Sequence, residues 1–199
     1  CDRLPLVVIF RHPCRRAHPH PHPESIDPGS RPGSSMRTSV IAERVVPDKS
    51  ASDPRSYRYV RLRNGLKCIL IHDPDTDKAA VSVDMRVGKY EDPVSVPGLA
   101  HFCEHMLFLG TEKFPVENSY SKFLSAHGGR SNASTGNEHT NYYLDVLHPH
   151  LNDALDRVSQ FFKTPLFTPS ATEREINAVH NEHMKNKLKD TRKIFQVVK

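Results

Sequence analysis

Residues 56–199 predict an α+β fold, a mixed and largely antiparallel sheet with helices packed over one face. Three observations carry this expectation. Segments with strand-like alternation come first, between residues 57 and 87, and share a hairpin turn. Two more strand segments follow a pair of helical stretches, at 130–135 and 139–147. Two longer helical patterns then close the chain, so strands and helices are grouped and do not alternate one for one.

Taken in order, the first 55 residues predict no fold. They hold nine of the 16 prolines, lack an apolar period, and include the run His18-Pro-His-Pro-His-Pro23. Such a segment buries too little apolar surface to offset its ordering entropy, so residues 1–55 read as a disordered Pro/His-rich N-terminal extension. Met36 opens a more ordinary stretch, and residues 1–35 read as an unusual addition to it. The patch from Leu4 to Phe10 is too brief for a signal peptide.

Residues 57–63 alternate as a strand, Asn64-Gly65 is a hairpin turn, and Leu66 to Ile71 returns as a second strand. Asp73 to Asp77 is a loop. A third strand runs from Ala79 to Val87, with Val81, Val83, Met85 and Val87 on one face. A helix is expected over 97–109, with Leu99, Phe102, Met106 and Leu109 as its buried stripe and Gly110 as its stop. A second helix, 117–126, ends at Gly128-Gly129. After the strands at 130–135 and 139–147 come helices at 150–163 and 170–191, the latter with Ser170 as cap and Glu173 three residues on.

The formal charge of +5 is shared unevenly. Residues 1–55 carry nine Lys and Arg against six Asp and Glu, and residues 56–199 carry 19 against 17. The expected domain is nearly balanced, which argues against a nucleic-acid partner. No apolar run reaches the ~18 residues of a membrane span. The four cysteines, at 1, 14, 68 and 103, make no disulfide framework and point to a reducing, cytoplasmic setting.

The chemistry concentrates in His101-Phe-Cys-Glu-His105. On a helix the two histidines stand one turn apart on one face, where both imidazoles reach one ion. Hydrolytic zinc is usually held by three nitrogen or oxygen ligands with water in the fourth place. Glu182, 77 positions after His105, can complete that count, which leaves Glu104 free as a base. Cys103 sits at i+2 from His101, about 200° round the helix, and reads as packed core.

The order His-x-x-Glu-His is that of the inverzincins. The stretch from Gly98 to Gly110, with Glu138 to Tyr143, Ala154 to Arg157 and Glu175 through His183, resembles the insulin-degrading and nardilysin branch of the pitrilysin family of zinc metallopeptidases. The resemblance covers residues 56–199 and implies an incomplete first repeat domain of that family. It implies one zinc per chain held by His101, His105 and Glu182, with Glu104 as general base and Glu175 as an acid supporting the site. It also implies that Asn132 and Ala133, on a strand edge, pair with a peptide substrate. Ser134 departs from the aromatic that relatives often carry there. Family enzymes enclose their substrate with a second homologous half that this sequence does not contain. The expectations are therefore a zinc metalloendopeptidase acting on short polypeptides or, alternatively, a zinc-binding chain inactive without that half or a partner chain.

Overall fold

The computed structural model describes residues 6–12, 40–45 and 49–198. Its strands are β1 (Leu6–His12), β2 (Val40–Val45), β3 (Ser56–Leu62), β4 (Lys67–His72), β5 (Lys78–Met85), β6 (Arg130–Thr135) and β7 (Thr140–Leu147). Its helices are α1 (Leu99–Met106), α2 (Ser119–Ala126), α3 (Leu151–Phe161), α4 (Pro169–Lys187) and α5 (Asp190–Val198). The strands form one sheet in the order β2-β3-β4-β1-β5-β7-β6. Each neighbouring pair is antiparallel except β1 and β5, which run parallel. The α+β layout with a mixed, largely antiparallel sheet is as the sequence predicts.

The core forms where alternation places apolar side chains on one face. Ala79, Val81 and Val83 of β5 and Tyr142, Leu144 and Val146 of β7 are buried together with Tyr120 and Leu124 of α2 and Leu151, Ala154, Val158 and Phe161 of α3. Phe108, just beyond α1, packs its ring against those of Tyr120, Tyr142 and Phe161, at centroid distances of 6.0, 6.2 and 5.2 Å. Rings of this size contribute much of the apolar burial per residue. Between α2 and β6 the chain passes so close to β7 that a Cβ on Gly129 would lie 2.2 Å from the Asp145 carbonyl oxygen. Only glycine fits that crossing.

Several elements differ from the sequence expectation. Two strands, β1 and β2, come from the segment expected to be a disordered extension. Leu6 to Phe10 is an unbroken apolar run, without the period-2 alternation that marks a strand with one solvated face. The expected last helix is two, α4 and α5, separated at Leu188 and Lys189. Its cap is Thr168, whose hydroxyl accepts from the Ala171 amide at 3.3 Å, not Ser170. Val87 falls beyond β5 and is exposed.

Candidate metal centre

Local chain geometry shapes the start of α1. The helix opens at Gly98, whose φ of 94° lies in the left-handed region that glycine adopts without steric cost. The Asp92 carboxylate accepts from the amides of Gly98 and Ala100 at 2.7 and 2.8 Å, satisfying donors that every helix start leaves open. Ala100, Glu104 and Met106 are the buried residues of the helix. The expected stripe is shifted: Leu99 is exposed, and Cys103 is an exposed free thiol and not packed core. The sheet under α1 takes the side that carries Glu104, which turns Cys103 outward.

The C-terminal exit of α1 then positions α4. Residues 110–112 lie against 164–166: the Glu112 amide donates to the Thr164 carbonyl and the Leu166 amide to the Gly110 carbonyl, both at 3.0 Å. Thr111 and Pro165 form an antiparallel bridge between the same segments. From there α4 runs back along α1, so His105 meets Glu175 and His101 meets Glu182. An Arg174 fork onto Glu117, with Nη2 at 2.6 and 2.7 Å from the two carboxylate oxygens, ties α4 to the segment before α2.

Three predicted ligands converge. The Nε2 atoms of His101 and His105 lie 3.1 Å apart. Glu182 Oε2 lies 3.7 Å from the first and 3.5 Å from the second. Ligand atoms about 2.0–2.1 Å from a tetrahedral zinc stand ~3.3 Å from one another, and the three separations bracket that value. This is the one cluster of three metal-competent side chains among the described residues. Glu175 Oε1 lies 2.7 Å from His105 Nδ1. With the proton on Nδ1 donated to this carboxylate, the Nε2 lone pair of His105 faces the triangle. Two nitrogens and a carboxylate oxygen in that arrangement are a borderline donor set that suits zinc. The residues present fit the ion.

Glu104 is buried, at 7% exposure, beside this triangle. Its Oε2 accepts from the Thr135 hydroxyl. Thr140 stands behind, donating its own hydroxyl to the Val87 carbonyl at 2.9 Å with its oxygen 3.4 Å from that of Thr135. A carboxylate held in a buried position needs such a donor to offset its lost hydration. Sequence reasoning did not single out Thr135. The signal was available in β6, where Ser131, Ala133 and Thr135 are the half-buried alternate residues and the intervening ones are exposed.

Asn132 and Ala133 lie on the same strand, one facing outward and one inward. Asn132 is exposed and its Nδ2 donates to Tyr143 Oη at 3.3 Å. Ala133 packs against the core. Strand β6 is the last in the sheet order, so its outer backbone edge has no strand partner among the described residues. The chain thus brings the Glu104 carboxylate, the three candidate ligand atoms and the outer edge of β6 close to α1. No described helix is long and apolar enough to cross a membrane.

Comparison with known proteins agrees with this layout. Residues 67–198 match the insulinase family, peptidase family M16. Mouse insulin-degrading enzyme is 56% identical over 159 residues, which is 80% of this chain and 15% of that enzyme. A protein named as a zinc protease in Schizosaccharomyces pombe is 45% identical over 158 residues, 79% of this chain and 16% of that one. The crystal structure of pitrilysin superposes with a TM-score of 0.67 at 37% identity, covering 72% of this chain and 16% of the other. The chain spans about 15% of the length of the curated relatives it matches.

Proposed function

Because this chain belongs to the insulinase family, peptidase family M16, we propose that it carries the hydrolytic centre of a zinc-dependent metalloendopeptidase acting on short polypeptides. The observation that supports this best is the triangle of His101, His105 and Glu182 ligand atoms set beside the buried Glu104 carboxylate. When bound there, zinc lowers the pKa of a water toward ~7 and polarises the scissile carbonyl. Glu104 takes the proton from the attacking water and passes it to the leaving amine. Thr135 holds that carboxylate in line by its hydroxyl hydrogen bond. Glu175 holds the His105 ring in the tautomer and orientation that ligation needs. The exposed edge of β6, at Asn132 and Ala133, pairs with the main chain of an extended peptide, a mode that reads backbone more than side chains. The catalytic unit is drawn from residue 56, where β3 begins, and its setting is the reducing cytoplasm.

A second reading keeps the zinc and drops the turnover. The centre is open, with the Glu182 side chain 42% exposed, and the chain spans about 15% of its relatives. Closing an active site supplies positioning and oxyanion donors, each worth a few kcal/mol, and an open face offers little of either. On this reading hydrolysis awaits a second homologous half or a partner chain.

Metal analysis of the purified chain, with peptide hydrolysis measured with and without a chelator, tests both. One zinc per chain is expected, and none after His105→Ala. Full zinc retention in that variant would end the assignment. Zinc with chelator-sensitive cleavage supports the peptidase reading, and zinc without cleavage supports the second.

A further inference from the structure

The two halves of α1 are held differently. From Glu104 onward packing holds the chain, with Glu104, Met106 and Leu107 buried. The start has little of this. Every residue from Pro93 to Leu99 is exposed, and Ala100 is the one buried residue of the first turn. Yet His101, a metal ligand in the reading above, stands in that turn. The N-cap position is occupied by Gly98, which has no side chain to receive the first amides of the helix.

Asp92 takes that role from six residues upstream. Its Oδ2 accepts from the Gly98 amide at 2.7 Å and its Oδ1 from the Ala100 amide at 2.8 Å. A carboxylate that spans two amides fixes the rotation of the helix start as well as its direction, and its charge complements the helix dipole. His101 follows Ala100 directly, so rotation of this turn swings its imidazole toward or away from His105 and Glu182.

Asp92 can do this only if its own backbone is fixed. The single 3-10 turn Lys89–Glu91 precedes it, with the Gly88 amide donating to the Glu91 carboxylate at 3.0 Å. The Lys89 and Tyr90 amides donate to the Gly136 and Asn137 carbonyls at 3.1 and 2.9 Å. The Val87 carbonyl accepts from the Thr140 hydroxyl at 2.9 Å. The two segments lie so close that a Cβ on Gly88 would sit 2.5 Å from the Asn137 carbonyl oxygen. Residues 136–139 follow directly on Thr135, whose hydroxyl holds Glu104. One hairpin end thus supports α1 twice, at the Glu104 side chain and, through residues 87–92, at the helix start.

We propose that Asp92 is a positioning residue for the metal centre. It sets the rotation of the first turn of α1 and so the place of His101, and the close contact at Gly88 anchors it to the turn between β6 and β7. This role rests on the reading of His101 as a zinc ligand. Asp92 itself touches neither the ion nor a substrate.

The test compares Asp92→Ala, Asp92→Asn and Gly88→Ala in the full chain. Val158→Ala serves as control, at a buried residue of α3, a helix that contributes nothing to the centre. Competition with a chromophoric chelator reads zinc affinity, amide exchange reads residues 98–102 in the zinc-free chain, and thermal melting reads stability. Asp92→Ala is expected to weaken zinc binding roughly 5-fold and to speed exchange of the Gly98, Ala100 and Phe102 amides. Asp92→Asn keeps one acceptor oxygen and should recover part of both. Gly88→Ala should also speed exchange at Lys89 and Tyr90 and weaken zinc in the same direction. Val158→Ala should lower Tm at least as much yet leave zinc affinity within about 2-fold of the parent, because separate sites act independently. Asp92→Ala with the parent's affinity and amide protection would overturn the proposal. So would an affinity loss that Val158→Ala reproduces at equal Tm. If Asp92→Ala does not fold, Asp92→Asn carries the same comparison. A parent that binds no zinc would remove the metal reading and this role with it, whereas a zinc-binding parent with unaffected Asp92 variants would remove this role alone.

Discussion

α1 and α4 supply the metal centre from opposite physical situations. α1 is eight residues long, capped at its start by Asp92, and buried along Ala100, Glu104 and Met106. α4 is more than twice as long, yet Ala171 is its one buried residue, with Ile176 at 54% and Met184 at 48% exposure. Glu104 and the two histidines thus ride on packing. Glu175 and Glu182 ride on a helix placed by the lacing of 110–112 to 164–166 and by the Arg174 fork. In a structural site ligation free energy becomes placement free energy, and α4 has the more to gain from it.

The largest effect should come from the packed side. In any active form of the protein, Glu104→Gln is expected to lower kcat by 10²–10⁴-fold while zinc content stays near one per chain, because the amide keeps the shape but takes no proton from water. A variant that kept its rate would move the base elsewhere. Glu175→Gln tests the lightly packed side. Loss of a carboxylate behind a ligating histidine typically weakens metal binding 10–100-fold, and competition with a chromophoric chelator measures it. Unchanged affinity would mean that α4 contributes Glu182 alone, and the contrast between the helices would narrow.

The sheet beneath both helices has its own control. Burial pushes the Cys68 thiol up to about 11 from its ordinary 9.0. In the unfolded chain the thiol ionises near 9, while in the fold it keeps its proton to about 11. The stability it contributes is therefore full below pH 9 and is lost as pH rises from 9 to 11. The expected loss is roughly 2–3 kcal/mol, removed by Cys68→Ala, and denaturant midpoints across that pH window read it.

The packed side was also the more legible in sequence. The helix around His101 and His105 follows from spacing and Gly110, although of its expected stripe only Met106 is buried, and the two terminal hairpin strands fall at 130–135 and 140–147 against an expected 130–135 and 139–147. His101, His105 and Glu182, the ligands that the sequence proposes, are the three side chains that converge in the structure, with Glu104 buried beside them. What stayed hidden depends on tertiary neighbours. Thr135 becomes a partner of Glu104 only once β6 is laid beside α1. Cys103 and Leu99 face outward because the sheet takes the opposite side of the helix. β1 lacks a period-2 signature, and the proline-rich context obscures its apolar run. The break between α4 and α5 follows no glycine or proline that spacing could detect.

The smallest effect is the most direct probe of how α4 is held. Arg174 reaches both carboxylate oxygens of Glu117 at 2.6 and 2.7 Å, but the side chains are 56% and 42% exposed. An exposed pair is screened by water and salt, and most are worth between about 0.2 and 1 kcal/mol. A double-mutant cycle on Arg174→Ala and Glu117→Ala should therefore give a coupling near 0.5 kcal/mol in the chelated protein, shrinking at high salt. With zinc bound, α4 has a second and stronger tether. Each single variant should then cost less in the zinc-loaded form than in the chelated form. Equal costs in the two forms would show that ligation adds nothing to the placement of α4, and the proposed difference between the two helices would be one of exposure only.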